Sequence, residues 1–299
     1  MFSSKKKLNS IKFQQYLFCF YVLFPTIVIF AITRFIPIGG TFYLSFYKWD
    51  FLSKSFIGFS NFITLFQQDT RFHQALWHTV LFIITSLPLI VLISLMIAIL
   101  LNRKIRFYSF YEFVYFLPAV VSMVPITFIW KWIYDPDYGL LNFFLSLLGI
   151  SPKAWLLDPK LALGSIMVIV IWKNIGYYAV IFLVGLKGIS RQYYEAAELD
   201  GANKQQLFVY ITLPLLKPIT LFVIVMVTIT IFNIFTPVYV MTSGDYNASP
   251  VDSVRVLVYD IYQNGFRYYR MGYASAESLL LFIIVFIITL IQLKIAKSE

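Results

Sequence analysis

Two groups of residues in this chain have the types and spacing to do chemistry. The first is the stretch EAAELDGANKQQLFVYITLP, residues 195–214, which is polar in a chain that is otherwise mostly apolar. Glu195, Glu198 and Asp200 offer hydrogen-bond acceptors around a small, smooth flank formed by Ala196 and Ala197, on which another protein could pack closely. Ser190 is placed as an N-cap, with the acids of the next turns favoured near the positive end of a helix. Gly201 supplies the residue that ends a helix in the left-handed conformation. Helical character resumes in NKQQLFVYITL, through Ile211 and Leu213, until Pro214 and Pro218 interrupt it. The predicted form is two short helices with a sharp bend, and the plain alternative is an ordinary link between two membrane spans.

The second group lies inside apolar stretches, where polar residues are functional suspects by default. Lys173, Asn174, Tyr177 and Tyr178 fall in one stretch, with residues 174, 177 and 178 on one helical face. Thr230, Asn233 and Pro237 follow at helical spacing in the next, with Phe232, Phe235 and Thr236 nearby. Planar amides that hydrogen-bond and aromatic faces that stack on C–H surfaces suit a sugar. The alternative is helix–helix hydrogen bonding by the same side chains. Lys173 sits deep enough to pair with an acid or to line a cavity, and a phosphate-bearing solute would favour such a cation.

Other chemistries lack their residues. No GxxxxGK[ST] loop cradles a phosphate, and no Ser–His–Asp or paired-carboxylate arrangement stands out in a polar pocket. His73 and His78 flank the start of one apolar stretch without acids or cysteines at ligand spacing, so no metal is expected. Cys19 is the single cysteine, which excludes an internal disulfide.

The elements that must position these residues are membrane helices. Of 299 residues, 60% are hydrophobic and 13% charged, about half the charge of a typical soluble domain. Six stretches are long enough to span a bilayer, roughly 16–38, 77–101, 112–133, 161–186, 215–240 and 276–296. The first is read as an uncleaved span despite its basic start, extending towards Phe46 past Pro37 and the Gly39–Gly40 pair. Glu112 and Glu277 open spans three and six, where water or headgroups would solvate them. The expected class is an all-α polytopic membrane protein, a single transmembrane domain over 1–299 with a helix-turn-helix loop at 187–214.

Orientation follows from the basic residues. Lys5, Lys6, Lys7, Lys12, Arg103, Lys104, Arg106, Lys187, Arg191 and Lys204 fall in segments on one side, and Lys294 and Lys297 close the last span there. The loops on the other side hold eight basic residues balanced by eight Asp, namely Asp50, Asp69, Asp135, Asp137, Asp158, Asp245, Asp252 and Asp260. The positive-inside rule then places both termini and the 187–214 loop in the cytoplasm. The net charge of +10 is spread over span ends and not over one face, which argues against nucleic acid as a partner.

Glu195-Ala196-Ala197, Gly201, Ile211 and Leu213-Pro214, at these spacings, resemble the EAA loop of the membrane subunits of binding-protein-dependent ABC importers. FYLSFYKWD, FIGFSNFITLF and WKWIYDPDYGLLN resemble the carbohydrate-uptake branch, and the last is similar to the first permease of a sugar-importer pair. The resemblance implies that residues 195–201 seat in a cleft of a separate ATPase subunit, which binds ATP and magnesium so that this chain needs no cofactor. It implies four kinds of partner: two ATPase subunits, a second and related permease in a heterodimer, an extracellular binding protein, and membrane lipid. It further implies that Asn174 and Tyr177 fall where a transmembrane sugar site is expected, in a bacterial plasma membrane. A permease for glycerol-phosphate or another polar solute, and a stand-alone secondary carrier, are the alternatives. An intramembrane enzyme is disfavoured by the missing catalytic clusters.

Overall fold

The computed structural model describes residues 2–103, 106–242 and 251–297. Lys104 and Asp245, both used to orient the chain, lie outside the described residues. The chain divides into two compact units, residues 1–63 with 264–279, and residues 64–263 with 280–299.

In the first unit, α1 (Phe2–Phe30) runs through a π-helical turn at Ala31–Phe35 into α2 (Ile36–Leu44). Residues Phe13–Leu44 make one continuous candidate span, so the helix does extend past Pro37, Gly39 and Gly40. The irregularity falls before the proline and not at the glycine pair. Pro37 lacks an N–H and its ring would clash with the carbonyl of Thr33, and a wider turn just upstream relieves this. A two-stranded antiparallel hairpin follows, β1 (Tyr47–Trp49) and β2 (Lys54–Phe56), in register Tyr47 to Phe56. It is the one departure from an all-helical chain among the described residues. Asp50 accepts the backbone and side-chain donors of Ser53 at its tip, which hold its carboxyl below the usual carboxylate range.

Two of the sequence motifs meet in this unit through one amide. Asn61 of FIGFSNFITLF donates to the carbonyls of Ser45 and Tyr47 in FYLSFYKWD, at 2.8 and 3.0 Å. Asn61 opens α3 (Ser60–Gln67). The start of the last helix packs against the same strand, because a side chain at Gly272 would meet the Tyr47 carbonyl. Glu277, expected in a solvated position, is instead 1% exposed and accepts two hydrogen bonds from Asn264, at 3.0 and 3.1 Å.

In the second unit, span two is α4 (Thr70–Leu101), capped by Asp69, which accepts the N–H groups of Arg71 and Phe72. Span three is broken: α5 (Tyr108–Val120) and α6 (Met123–Ile133) meet at 100°. Beyond α6, Asn142 in α7 (Leu140–Leu147) knits the 134–160 loop together. Its amide donates to the carbonyls of Asp135, Pro136 and Lys153, and its oxygen accepts from Lys153 and Trp155. Span four is α8 (Ala162–Lys187), the most enclosed of the long helices, packed on α4 and α5. A loop of α9 (Arg191–Leu199), α10 (Lys204–Leu207) and a π-helical turn at Phe208–Thr212 leads to α11 (Leu213–Phe232).

Span five is one continuous candidate span, Lys204–Thr242, interrupted by three residues outside regular helix between the end of α11 at Phe232 and the start of α12 (Thr236–Thr242). Pro237 explains the gap, since it cannot donate to Asn233 and its ring would clash with that carbonyl. Two short helices follow, α13 (Val251–Val254) and α14 (Leu257–Tyr262). Arg255 between them pairs with Asp252 at 2.8 Å and with Asp260 at 2.6 Å. The last helix, α15 (Met271–Lys297), completes the candidate spans among the described residues: five long apolar helices and the bent pair.

Candidate functional site

The 187–214 loop takes the predicted helix–bend–helix form, and each joint has a local cause. The Ser190 side chain accepts the N–H of Gln192 and starts α9. At the other end Gly201 has φ +87°. The N–H of Ala202 bonds to the Ala197 carbonyl at 2.9 Å, and that of Gly201 to the Glu198 carbonyl at 3.1 Å. This pair of bonds is a Schellman ending, and it requires the left-handed residue. Asn203 then caps α10 by a reciprocal box, its oxygen accepting from Gln205 and Gln206 while its own N–H donates to the Gln206 side chain at 2.7 Å.

What this loop presents is a projecting knob. No residue of α9 is buried, and Leu199 is 90% exposed. Glu195, Ala196, Glu198, Asp200 and Gly201 are all exposed, while Ala197 turns partly inward. Glu195 and Glu198 also border a groove of about 520 Å³ with Asn102, Lys187, Arg191 and Tyr194. Tyr194 is half-buried, and its phenol lies 3.0 Å from the hydroxyl of Thr212. Ile211 is half-buried, while Leu213 and Pro214 open α11 with exposed side chains. The structure thus brings residues 195–201 together as one surface and joins that surface to the root of span five. Sequence reasoning missed Tyr194 and Thr212, and a Tyr and a Thr eighteen positions apart gave no periodic signal.

The second candidate group lies where α8 and α11 pack in the same unit. Tyr178 is 2% exposed, and its hydroxyl sits 3.3 Å from that of Thr230, which donates to the Met226 carbonyl. Tyr177 is 45% exposed, with its ring set edge-on to Tyr178 at 5.1 Å. The amides of Asn174 and Asn233 each donate to a carbonyl of their own helix, Val170 and Ile229, both at 2.8 Å; Asn174 is half-buried and Asn233 exposed. Phe232 is 1% exposed and belongs to the packed interior rather than to any open surface. Pro237 lies beyond the break in span five and so does not share a helical face with Thr230 and Asn233. Just past that break, Phe235 stacks on Tyr239, and Tyr262 closes an aromatic triad with centroids 5.0–5.3 Å apart. Its third member comes from α14 and was out of reach of periodicity.

Lys173 is bonded to backbone carbonyls. Its ammonium donates to the carbonyls of Pro118, Ala119 and Val121 at 3.2, 3.3 and 2.9 Å. All three N–H donors of the ammonium are thereby engaged at the break in span three.

Residues 76–298 match the family described as binding-protein-dependent transport system inner membrane component. The chain is 36% identical over 273 residues to the probable ABC transporter permease protein YesP of Bacillus subtilis (strain 168), covering 90% of this chain and 87% of that one. It is 32% identical to the arabinooligosaccharides transport system permease protein AraP of the same organism, covering 92% and 87%. A chain of the crystal structure of a bacterial alginate ABC transporter, in complex with an alginate pentasaccharide-bound periplasmic protein, has the same fold. It superposes with a TM-score of 0.80 at 24% identity, covering 95% of this chain and 94% of that one.

Proposed function

The chain belongs to the binding-protein-dependent transport system inner membrane components, and from that membership we propose that it is one of two permeases in an ATP-driven importer of an uncharged oligosaccharide. As a permease subunit it is not itself an enzyme. The whole chain works as one transmembrane domain, with both termini and the 187–214 loop in the cytoplasm of a bacterium. The partners are a second, related permease in a heterodimer, two ATPase subunits and an extracellular binding protein that delivers the sugar.

The observation that carries this reading is the knob of α9. A nine-residue helix with no buried side chain, a nearly fully exposed Leu199, two carboxylates and a third on its C-cap Asp200 has no reason to persist in an apolar chain unless something covers it. The arrangement ending at Gly201 suits seating in an ATPase cleft. Closure of the ATPase pair would then push on α9 and, through the Tyr194–Thr212 contact, on α11. Such coupling requires a different contact in each state of the transporter.

The sugar assignment rests on the relatives and on the α8–α11 face. Similarity to an arabinooligosaccharide permease supports a carbohydrate. Tyr177, Asn174 and Asn233 offer an aromatic ring and amide groups on that face. The Lys173 ammonium commits its three N–H donors to carbonyls, so none is left to hydrogen-bond a phosphate or uronate, which favours a solute without such a group over glycerol-phosphate.

The test is affinity purification of this chain from its native membrane in gentle detergent, with mass spectrometry of what accompanies it. A second permease and an ATPase are expected. A chain that purifies alone and moves solute in liposomes without ATP would replace this reading with a secondary carrier.

A further inference from the structure

We propose that Lys173 is a positioning residue: its ammonium, carried on α8, terminates α5 and sets the bend of span three, and it is not a ligand of the transported solute. The last carbonyls of any helix lack partners within the helix. Inside a bilayer no water reaches them, so broken helices survive there only where other groups satisfy the freed backbone. α5 ends at Val120, and Val121 and Ser122 are extended, with ψ +140° and +148°. Pro118 aggravates the problem, because it removes a donor one turn earlier.

The cap comes from α8 because the two helices touch at the backbone. A side chain at Gly176 would fall on the Tyr115 carbonyl, so only glycine permits the crossing at this distance. Lys173 lies three residues before Gly176, hence on the same side of α8 about one turn away. From there its flexible stem reaches the carbonyls of Pro118, Ala119 and Val121 at once. A cation at a helix C-terminus is also favoured by the helix dipole. Lys173 is the twelfth residue of α8, so at about 1.5 Å of rise per residue it sits roughly 17 Å along that helix, near the middle of a bilayer core about 30 Å thick. At that depth a lysine left without partners would be costly, and three carbonyls supply them.

The consequence is a bend set from outside span three. Pro118 and Pro125 make the helix easy to break. The Lys173 contacts select the 100° arrangement in which α6 turns away to pack on α12. The position calls for a long cationic donor: lysine supplies one and arginine could reach the same acceptors, whereas an apolar chain of equal length supplies no donor.

The experiment reads the bend itself and so stands apart from any transport assay. In the full chain with its copurifying partners in lipid nanodiscs, Cys19→Ser removes the only cysteine. Val114→Cys on α5 and Phe128→Cys on α6, 46% and 58% exposed, then carry nitroxides. Double electron–electron resonance is expected to give one narrow distance distribution for the parent and for Lys173→Arg. Lys173→Met should give a broader distribution with its centre shifted, and Lys173→Gln, with two donors and no charge, an intermediate one. Distributions for Lys173→Met and Lys173→Gln that both coincide with the parent would overturn the assignment and leave the bend to the prolines alone.

Discussion

The phenol of Tyr194 and the hydroxyl of Thr212 lie 3.0 Å apart and join the exposed helix α9 to the turn that roots span five. Thr212 also donates to the Leu207 carbonyl at 3.3 Å, so the tyrosine is the donor of the pair. On the proposed coupling, this contact gives a push on α9 a second route to α11 beside the bend at Gly201.

Tyr194→Phe removes this one bond while keeping the ring. A single hydrogen bond contributes about 1 kcal/mol, so insertion and yield should hold. The number of solute molecules moved per ATP hydrolysed should fall several-fold. Equal transport per ATP in parent and variant, measured in proteoliposomes, would remove the pair from the coupling route.

Gly201 has φ +87° and open space where a side chain would point, so its substitution costs conformation and not volume. A non-glycine residue pays about 1–2 kcal/mol in the left-handed region, and asparagine least. ATPase recovered with the purified chain should therefore decrease from parent through Gly201→Asn to Gly201→Val, with membrane insertion unchanged. Recovery independent of the residue at 201 would separate the Schellman ending from partner binding.

The helix–bend–helix of the 187–214 loop was legible because its signals are local. Ser190 and Gly201 each act within a turn of the residues they cap, whereas the equally local Asn203–Gln206 box was not picked out and emerges from the structure. The spans were legible from length and apolarity. Both breaks were missed in outline, although Pro118 with Pro125 and Pro237 were their visible causes. The role of Lys173 was not legible at all, since its partners lie more than fifty positions away on another helix. For the same reason Glu277 was expected in water and is instead bonded to Asn264, and the hairpin at 47–56 was too short to register as strand.

Glycines separate in the same way. A side chain at Gly176 or Gly272 would collide with a backbone carbonyl, Tyr115 or Tyr47, whereas nothing lies within 4 Å of one at Gly39 or Gly40. Gly176→Ala and Gly272→Ala should each lower the thermal unfolding midpoint and the purified yield severely, by an amount on the order of 3 kcal/mol or more. Gly39→Ala and Gly40→Ala should behave as the parent in the same fluorescence-based melting assay. Equal effects at all four positions would contradict the packing described for α8 and α15.

Tyr177 and Tyr178 are neighbours with different duties. Tyr178→Phe loses its bond to Thr230 inside the packed interior, so stability should drop by about 1 kcal/mol with transport selectivity unchanged. Tyr177→Ala removes an exposed ring and should raise the half-saturating sugar concentration, or change which sugar is accepted, without changing stability. The reverse assignment of effects would move the path off this face.

The central claim is that α9 couples this chain to an ATPase, and the most direct measurement is uptake by the purified assembly in proteoliposomes with its binding protein. ATP hydrolysis and solute entering the vesicles are recorded together for the parent and for Gly201→Val. The account predicts that parent uptake requires ATP, and that the variant loses uptake while remaining inserted. Uptake that proceeds without ATP, or that is untouched by Gly201→Val, would contradict it.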